Sequence, residues 1–190
     1  PERCDAVYAI MDTAVKGGKN HDGTAVVFFA LNEYGTPLTV LDWDVIQIDG
    51  GLLEQWIPSV YYRLEELAKQ TKAIYGSVGV FTEDTATGSI LLQQAENRGR
   101  NMRAIDSKLT QLGKDERVVN VSGYVHQELM KISDYAFNKT VGFKGATRNH
   151  LITQLSAFRL GDPDAHKRAD DLLDCTVYGI ALGLGNKLGF

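Results

Sequence analysis

Cysteine and proline are both scarce in this 190-residue chain, and each scarcity excludes something. Two cysteines, Cys4 and Cys175, cannot make a disulfide framework, and neither has a second pair of ligands nearby for a zinc site. Four scattered prolines leave no Pro-rich linker, and there is no internal repeat or low-complexity segment. No apolar run approaches the length of a membrane span. The start, Pro1-Glu2-Arg3-Cys4-Asp5, lacks a charged-then-apolar signal pattern and an initiator Met. The expectation is a chain processed or cut from a longer one, working in a reducing cytoplasm. A strongly basic balance is missing too: the net charge of -4 argues against a protein that coats nucleic acid with a uniformly positive surface. What remains is 44% hydrophobic and 23% charged, the profile of a soluble globular domain with enough residues to bury a core.

The average charge hides an asymmetry. Residues 1–90 carry 6 basic and 13 acidic side chains, whereas residues 91–190 carry 14 basic and 11 acidic ones. Arg98, Arg100, Arg103, Lys108 and Lys114 form a basic stretch interrupted only by Asp106. A mildly acidic chain with one basic stretch suits an enzyme that holds a polyanion locally and keeps carboxylates for other work. A solvated charged face is the plainer alternative.

Hydrophobic periodicity predicts a strand over 5–12, a polar glycine-bearing turn, a β-rich run over 24–31 and a third strand over 38–48. Three strands joined by short turns imply an antiparallel meander. The period then changes. Leu53, Trp56, Ile57, Val60, Tyr61, Leu64 and Leu67 predict a helix over 51–71 that Pro58 could kink. A strand over 73–81, a helix opening at Gly88 and a short strand over 102–106 suggest parallel βαβ packing onto the meander. Residues 114–148 read weakly, as a helix followed by a loop or hairpin bearing Lys139, Lys144 and Arg148. Residues 165–184 predict an amphipathic helix with Leu173, Val177, Ile180 and Leu184 as its stripe.

Three acidic positions fall where chemistry tends to sit. Asp12 ends the first strand, Glu83 and Asp84 end the fourth, and Asp170, Asp171 and Asp174 lie at the start of the last helix. Adjacent parallel strands bring their C-terminal ends together, where open α/β sheets place sites. Several carboxylates held together need a cation to neutralise them, and hard oxygen ligands favour Mg²⁺ or Mn²⁺. On a helix running from residue 165, Asp170 and Asp174 share a side and Asp171 turns toward solvent. Taken singly, each acid is equally a turn residue or a helix cap. His21, His126, His150 and His166 belong to no motif.

Taken in order, these segments resemble a family. Asp12-Thr13-Ala14-Val15-Lys16-Gly17-Gly18 with Asp22-Gly23-Thr24-Ala25, then Glu83-Asp84-Thr85-Ala86-Thr87-Gly88, then Asp170-Asp171-Leu172-Leu173-Asp174-Cys175 are similar to the three acidic motifs of the nuclease domain of tailed-phage large terminase subunits. The resemblance runs from about residue 5 to 185. It implies an RNase H-like α/β fold with a mixed sheet of five or more strands, the first three antiparallel and the fourth and fifth parallel, flanked by helices. It implies one nuclease domain over 1–190, with no Gly-x4-Gly-Lys-Ser/Thr loop and hence no packaging motor. The activity implied is endonucleolytic cleavage of double-stranded viral DNA with two Mg²⁺ or Mn²⁺ ions. Asp12 would bridge both ions, Glu83 would hold one and Asp174 the other. Asp84 would bind metal through water or cap the following helix, and Asp170 and Asp171 would compete for a supporting metal role, the motif leaving them tied. The terminase small subunit and the portal protein are the implied partners, in the cytoplasm of a bacterial host. Arg98, Arg100, Arg103, Lys139, Lys144 and Arg148 are the expected phosphate contacts.

Two other classes compete. An actin-like phosphotransferase fragment would begin with a similar Asp strand and Gly-rich turn, and Gly179, Gly183, Gly185 and Gly189 could pass for a nucleotide loop, although caps and a loose tail explain them too. A non-catalytic interaction domain would use the same acids structurally.

Overall fold

The computed structural model describes residues 1–13, 23–32, 37–47, 50–84 and 86–185. Strands β1 (Ala6–Thr13), β2 (Thr24–Leu31) and β3 (Leu38–Ile46) form the expected antiparallel meander. Helix α1 (Gly50–Gln70) follows and continues through Pro58. Strand β4 (Ser77–Thr82), helix α2 (Ala86–Asn97) and strand β5 (Met102–Ala104) come next. The weakly patterned region holds α3 (Ser107–Thr110), α4 (Lys114–His126), β6 (Met130–Ile132), α5 (Asp134–Asn138) and the hairpin β7 (Val141–Phe143) with β8 (Ala146–Arg148). Helices α6 (His150–Ala157) and α7 (Asp171–Leu184) close the described chain.

The main sheet has six strands in the order β5-β4-β1-β2-β3-β6. Strand β4 runs parallel to β1, β5 parallel to β4, and β6 parallel to β3. The short strand β6, unforeseen in the sequence, is the sixth of a sheet expected to hold five or more. Strand β2 is buried along its whole length because helices cover both faces of the sheet. One core layer, with Val7, Ala9, Met11, Val80 and Leu41, packs beneath Leu53, Ile57, Val60 and Leu64 of α1. The other, with Tyr8, Ile10, Phe29, Phe81 and Trp43, packs against Leu172, Val177 and Ile180 of α7. Cys4 and Cys175 are buried free thiols in these two opposite layers.

The two-residue period of a strand assigns the acids to a face. Asp12 shares its side of β1 with Tyr8 and Ile10, and Glu83 follows Phe81 on the same side of β4, so both belong to the α7 layer. Asp12 sits one residue before the end of β1, opposite Ala25 of β2.

The last helix departs from its sequence expectation. It starts at Asp171 rather than at residue 165. Turn chemistry holds the chain out of the helix before that point: Gly161 takes positive φ, Asp162 accepts from the Asp164 amide at 2.8 Å and pairs with Arg168, and residues 165–167 make one 3-10 turn. The glycines of α7 are also not caps. A Cβ on Gly179 would lie 2.1 Å from the Phe29 ring, and one on Gly183 would lie 2.4 Å from the Tyr8 hydroxyl. They let the helix lie close on β1 and β2, where the Tyr8 hydroxyl donates to the Gly179 carbonyl at 2.6 Å. A nucleotide-loop role for these two glycines is thereby excluded.

Gly179→Ala should therefore lower the stability of the domain by about 3 kcal/mol, the upper range for overpacking a core. Urea unfolding followed by circular dichroism measures it. An unchanged midpoint would show that α7 can lift from the sheet without cost.

Candidate active site

Four carboxylates gather at the end of the sheet where β1 and β4 finish. Asp12 and Glu83 come from the strands, and Asp171 and Asp174 from the first turn of α7. The start of that helix decides which acids face inward. Beginning at Asp171, it buries Asp171 to 3% exposure, and the carboxylate accepts from the Gly23 amide at 3.2 Å. Asp170 stands just outside the helix, with a side chain 36% exposed and paired with Lys114. The sequence expectation had these two the other way round, because it continued regular helix back to residue 165.

An Asp at this position ordinarily caps its own helix. Here Gln154 of α6 does that work: its side-chain oxygen accepts from the Leu172 amide at 2.8 Å and from the Leu173 amide at 3.2 Å. The acids at the start of α7 are thus left for other partners. Nothing in the sequence marks Gln154, since the bond joins two helices across a turn.

Repulsion within the group is visible at Asp12. Burial, then Asp171, Asp174, Glu83 and Asp170 in that order, push its carboxyl well above the ordinary carboxylate range. Glu83 accepts a hydrogen bond from the Tyr178 hydroxyl, one helical turn beyond Asp174. Burial and that bond hold the phenol well above its usual pKa. Asp174 receives Arg117 at 3.1 Å and Lys114 at 2.9 Å from α4, and the Arg117 guanidinium lies over the Tyr178 ring at 4.9 Å.

Hard oxygen donors, here several acids whose charges act on the buried Asp12, fit a divalent cation of the Mg²⁺ or Mn²⁺ kind. Among the described residues, no three metal-ligating side chains are close enough as they stand to enclose one ion.

No family model matches the sequence. No curated protein matches it either. Solved structures do. The nuclease domain of the human cytomegalovirus terminase superposes with a TM-score of 0.60 at 12% identity, over 94% of this chain and 83% of that one. The same viral domain soaked with Mn and bound to an inhibitor gives 0.57 at 13% identity, over 94% and 83%. The large terminase of a thermophilic bacteriophage gives 0.57 at 12% identity, over 97% of this chain and 40% of that one. The fold is that of a terminase nuclease domain. It is RNase H-like, as the acidic motifs implied.

The remaining expected residues divide by position. Asp84 is exposed and accepts from the Ser89 hydroxyl at 2.5 Å, a bond into the first turns of α2 that suits a helix-start role. Arg103 lies on β5 beside Phe81, next to the strand end that carries Glu83. Arg98 and Arg100 precede β5, toward the opposite end of the sheet, with Arg100 over the Tyr61 ring of α1. Lys144 and Arg148 sit on the β7–β8 hairpin, whose Phe143 packs against Gly23 and Val45 near the acids. A cavity of about 570 Å³ lies between that hairpin and the end of β3. Lys139 is committed elsewhere: it pairs with the buried Asp42 at 2.8 Å, alongside Arg63, on the α1 face. His150 is a core residue bonded to the Val141 and Ala146 carbonyls. His21 and residues 14–20 of the first motif lie outside the described residues.

The raised Asp12 carboxyl has a consequence for stability. The folded domain retains a proton that the unfolded chain releases, so metal-free stability should fall as pH rises from the ordinary carboxylate range toward the raised value. Asp12→Asn removes the titration. In chelator, it should flatten the fall above the ordinary carboxylate range and raise Tm at the upper end of the profile. Thermal melts from that range upward check it, and a wild-type profile as flat as the variant's would contradict the shift.

Proposed function

We propose that this domain is a divalent-metal-dependent endonuclease that cleaves double-stranded viral DNA during genome packaging. The observation that carries the reading is the convergence of Asp12, Glu83, Asp171 and Asp174 at one sheet end, in a fold shared with terminase nuclease domains. The Mn soak of the cytomegalovirus domain supports use of a divalent metal. Asp12, on the central strand, would serve both of two ions, with Glu83 and Asp174 holding one each and Asp171 facing the same space. When bound, the ions supply Lewis-acid activation of water and stabilise the leaving 3′ oxygen.

The chain's own residues prepare that site. Tyr178 fixes the direction of the Glu83 carboxylate by donating to it. The Gly23 amide holds Asp171 inward. Burial of Asp12 beside three other acids makes the site costly without a cation and so favours ion uptake. Arg103, Lys144 and Arg148 lie at the acidic end of the sheet and would hold phosphates across it, positioning the duplex without reading bases. The terminase small subunit and portal protein would be its partners, and a bacterial host's cytoplasm its setting. Among the described residues, no helix is long and apolar enough to cross a membrane.

Supercoiled plasmid should be nicked with Mn²⁺ and left intact in chelator. Asp12→Asn, Asp171→Asn and Asp174→Asn should each reduce nicking by at least about 100-fold, beyond what losing a residue that merely supports a ligand gives, and Asp170→Asn much less. Full activity in Asp12→Asn, or none in any preparation, would favour an idle interaction domain. ATP binding by calorimetry would instead favour a phosphotransferase.

Duplex binding should weaken steeply with salt and show little sequence preference. Replacing Lys144 and Arg148 with Gln should reduce the salt slope by about 1 per lost contact, and replacing Arg98 and Arg100 should change it less. Equal effects from the two pairs in a filter-binding titration would show that the duplex runs across both ends of the sheet.

A further inference from the structure

Lys114 and Arg117 meet Asp174 from the same helix but are held differently. Arg117 is locked in place. Its Nη1 donates to the Leu112 carbonyl at 2.9 Å, its guanidinium covers the Tyr178 ring, and its side chain is 14% exposed. Lys114 ends a flexible four-carbon stem, is 27% exposed, and its ammonium spans two carboxylates, Asp174 Oδ2 at 2.9 Å and Asp170. An ammonium and a divalent ion make the same demand on a carboxylate oxygen, so the oxygen that Lys114 occupies is closed to metal while the pair persists.

Asp170 then acquires a distinct use. It stands outside the first turn of α7, more exposed than Asp171 or Asp174, and is reached by the lysine that also reaches Asp174. A cation displaced from Asp174 has a second carboxylate already in contact.

We propose that Lys114 is a built-in stand-in cation, which occupies Asp174 in the metal-free domain, yields that oxygen to an incoming divalent ion, and withdraws onto Asp170. The inference rests on the metal-dependent reading of the carboxylate group. Asp170 is on this view a positioning residue acting through Lys114, and Lys114 exchanges ion affinity for stability of the empty site.

Mn²⁺ binding followed by electron paramagnetic resonance, with thermal melts in chelator, tests it without reference to cleavage. Lys114→Met should bind Mn²⁺ on the order of tenfold more tightly than wild type, the effect of removing one close like charge. It should melt lower in chelator and gain more from added Mn²⁺. Lys114→Arg keeps the charge and should stay near wild-type affinity. Should Lys114→Met fold poorly, Lys114→Gln is read the same way. Asp170→Asn should weaken Mn²⁺ binding in the wild-type background and have no effect beside Lys114→Met. Unchanged or weaker Mn²⁺ binding by Lys114→Met, or an equal Asp170→Asn loss in both backgrounds, overturns the proposal while leaving the metal site standing. Absence of Mn²⁺ binding by wild type and every variant overturns the metal reading itself, and this inference with it.

Discussion

Helix α7 lies almost on the strands, and the rest of the site depends on that close approach. Side chains elsewhere along a helix set the distance to a sheet, but Gly179 and Gly183 remove the spacer where Phe29 and Tyr8 rise from β2 and β1. The Tyr8 hydroxyl, buried in the core, finds its acceptor in the Gly179 carbonyl instead of in water. Core packing and a buried polar bond thus fix the helix in the same place. With its C-terminal half held there, Asp171 and Asp174 arrive over the ends of β1 and β4. A helix one side chain farther out would leave them facing solvent.

The site is electrostatically lopsided. On the α7 side, Asp174 has two basic partners from α4, and Gln154 satisfies the helix amides that an acid would otherwise cap. On the strand side, Asp12 has burial and four like charges raising its carboxyl. The metal-free molecule therefore keeps a proton at Asp12, where an ionised carboxylate would be buried among like charges. Stability is given up at that position, where a binding site for a cation needs unsatisfied negative charge.

Much of this arrangement could be read from residue order, and the failures have identifiable causes. Strand β2 was bounded correctly because a continuous β-branched and aromatic run between turns has little alternative. Asp12 and Glu83 stand out in the sequence because each falls at or just past the end of a strand, and Asp174 because it lies in the first turn of the last helix. Helix periodicity leaned to Asp170 over Asp171 because it ran the helix back to residue 165, and element ends are set by turn contacts such as Arg168 with Asp162. Gly179 and Gly183 looked like caps since a glycine's reason for being in a helix lies in what faces it. Lys114 shows in the sequence only as the end of a basic stretch, and Arg117 and Gln154 carry no local signal. They matter through contacts with residues 18 to 60 positions away.

Charge type alone also fails to sort the basic residues, whereas the sheet does so directly. Lys139 and Lys144 are five residues apart, and both stood out as possible phosphate contacts. The short helix α5 ends at Asn138, and Lys139 turns back to reach Asp42, which the irregularity between Phe28 and Phe29 brings to the α1 face with Arg63. Asp42 is buried with both cations around it, and removing either would leave a carboxylate poorly compensated in the core. Lys144 instead lies at the hairpin turn, beyond Phe143, on the side of the molecule where Gly23 and Asp171 meet. The end of α5 and the irregularity of β2 and β3 therefore send Lys139 to the α1 face, whereas Lys144 stays on the hairpin with its ammonium over the Phe143 ring.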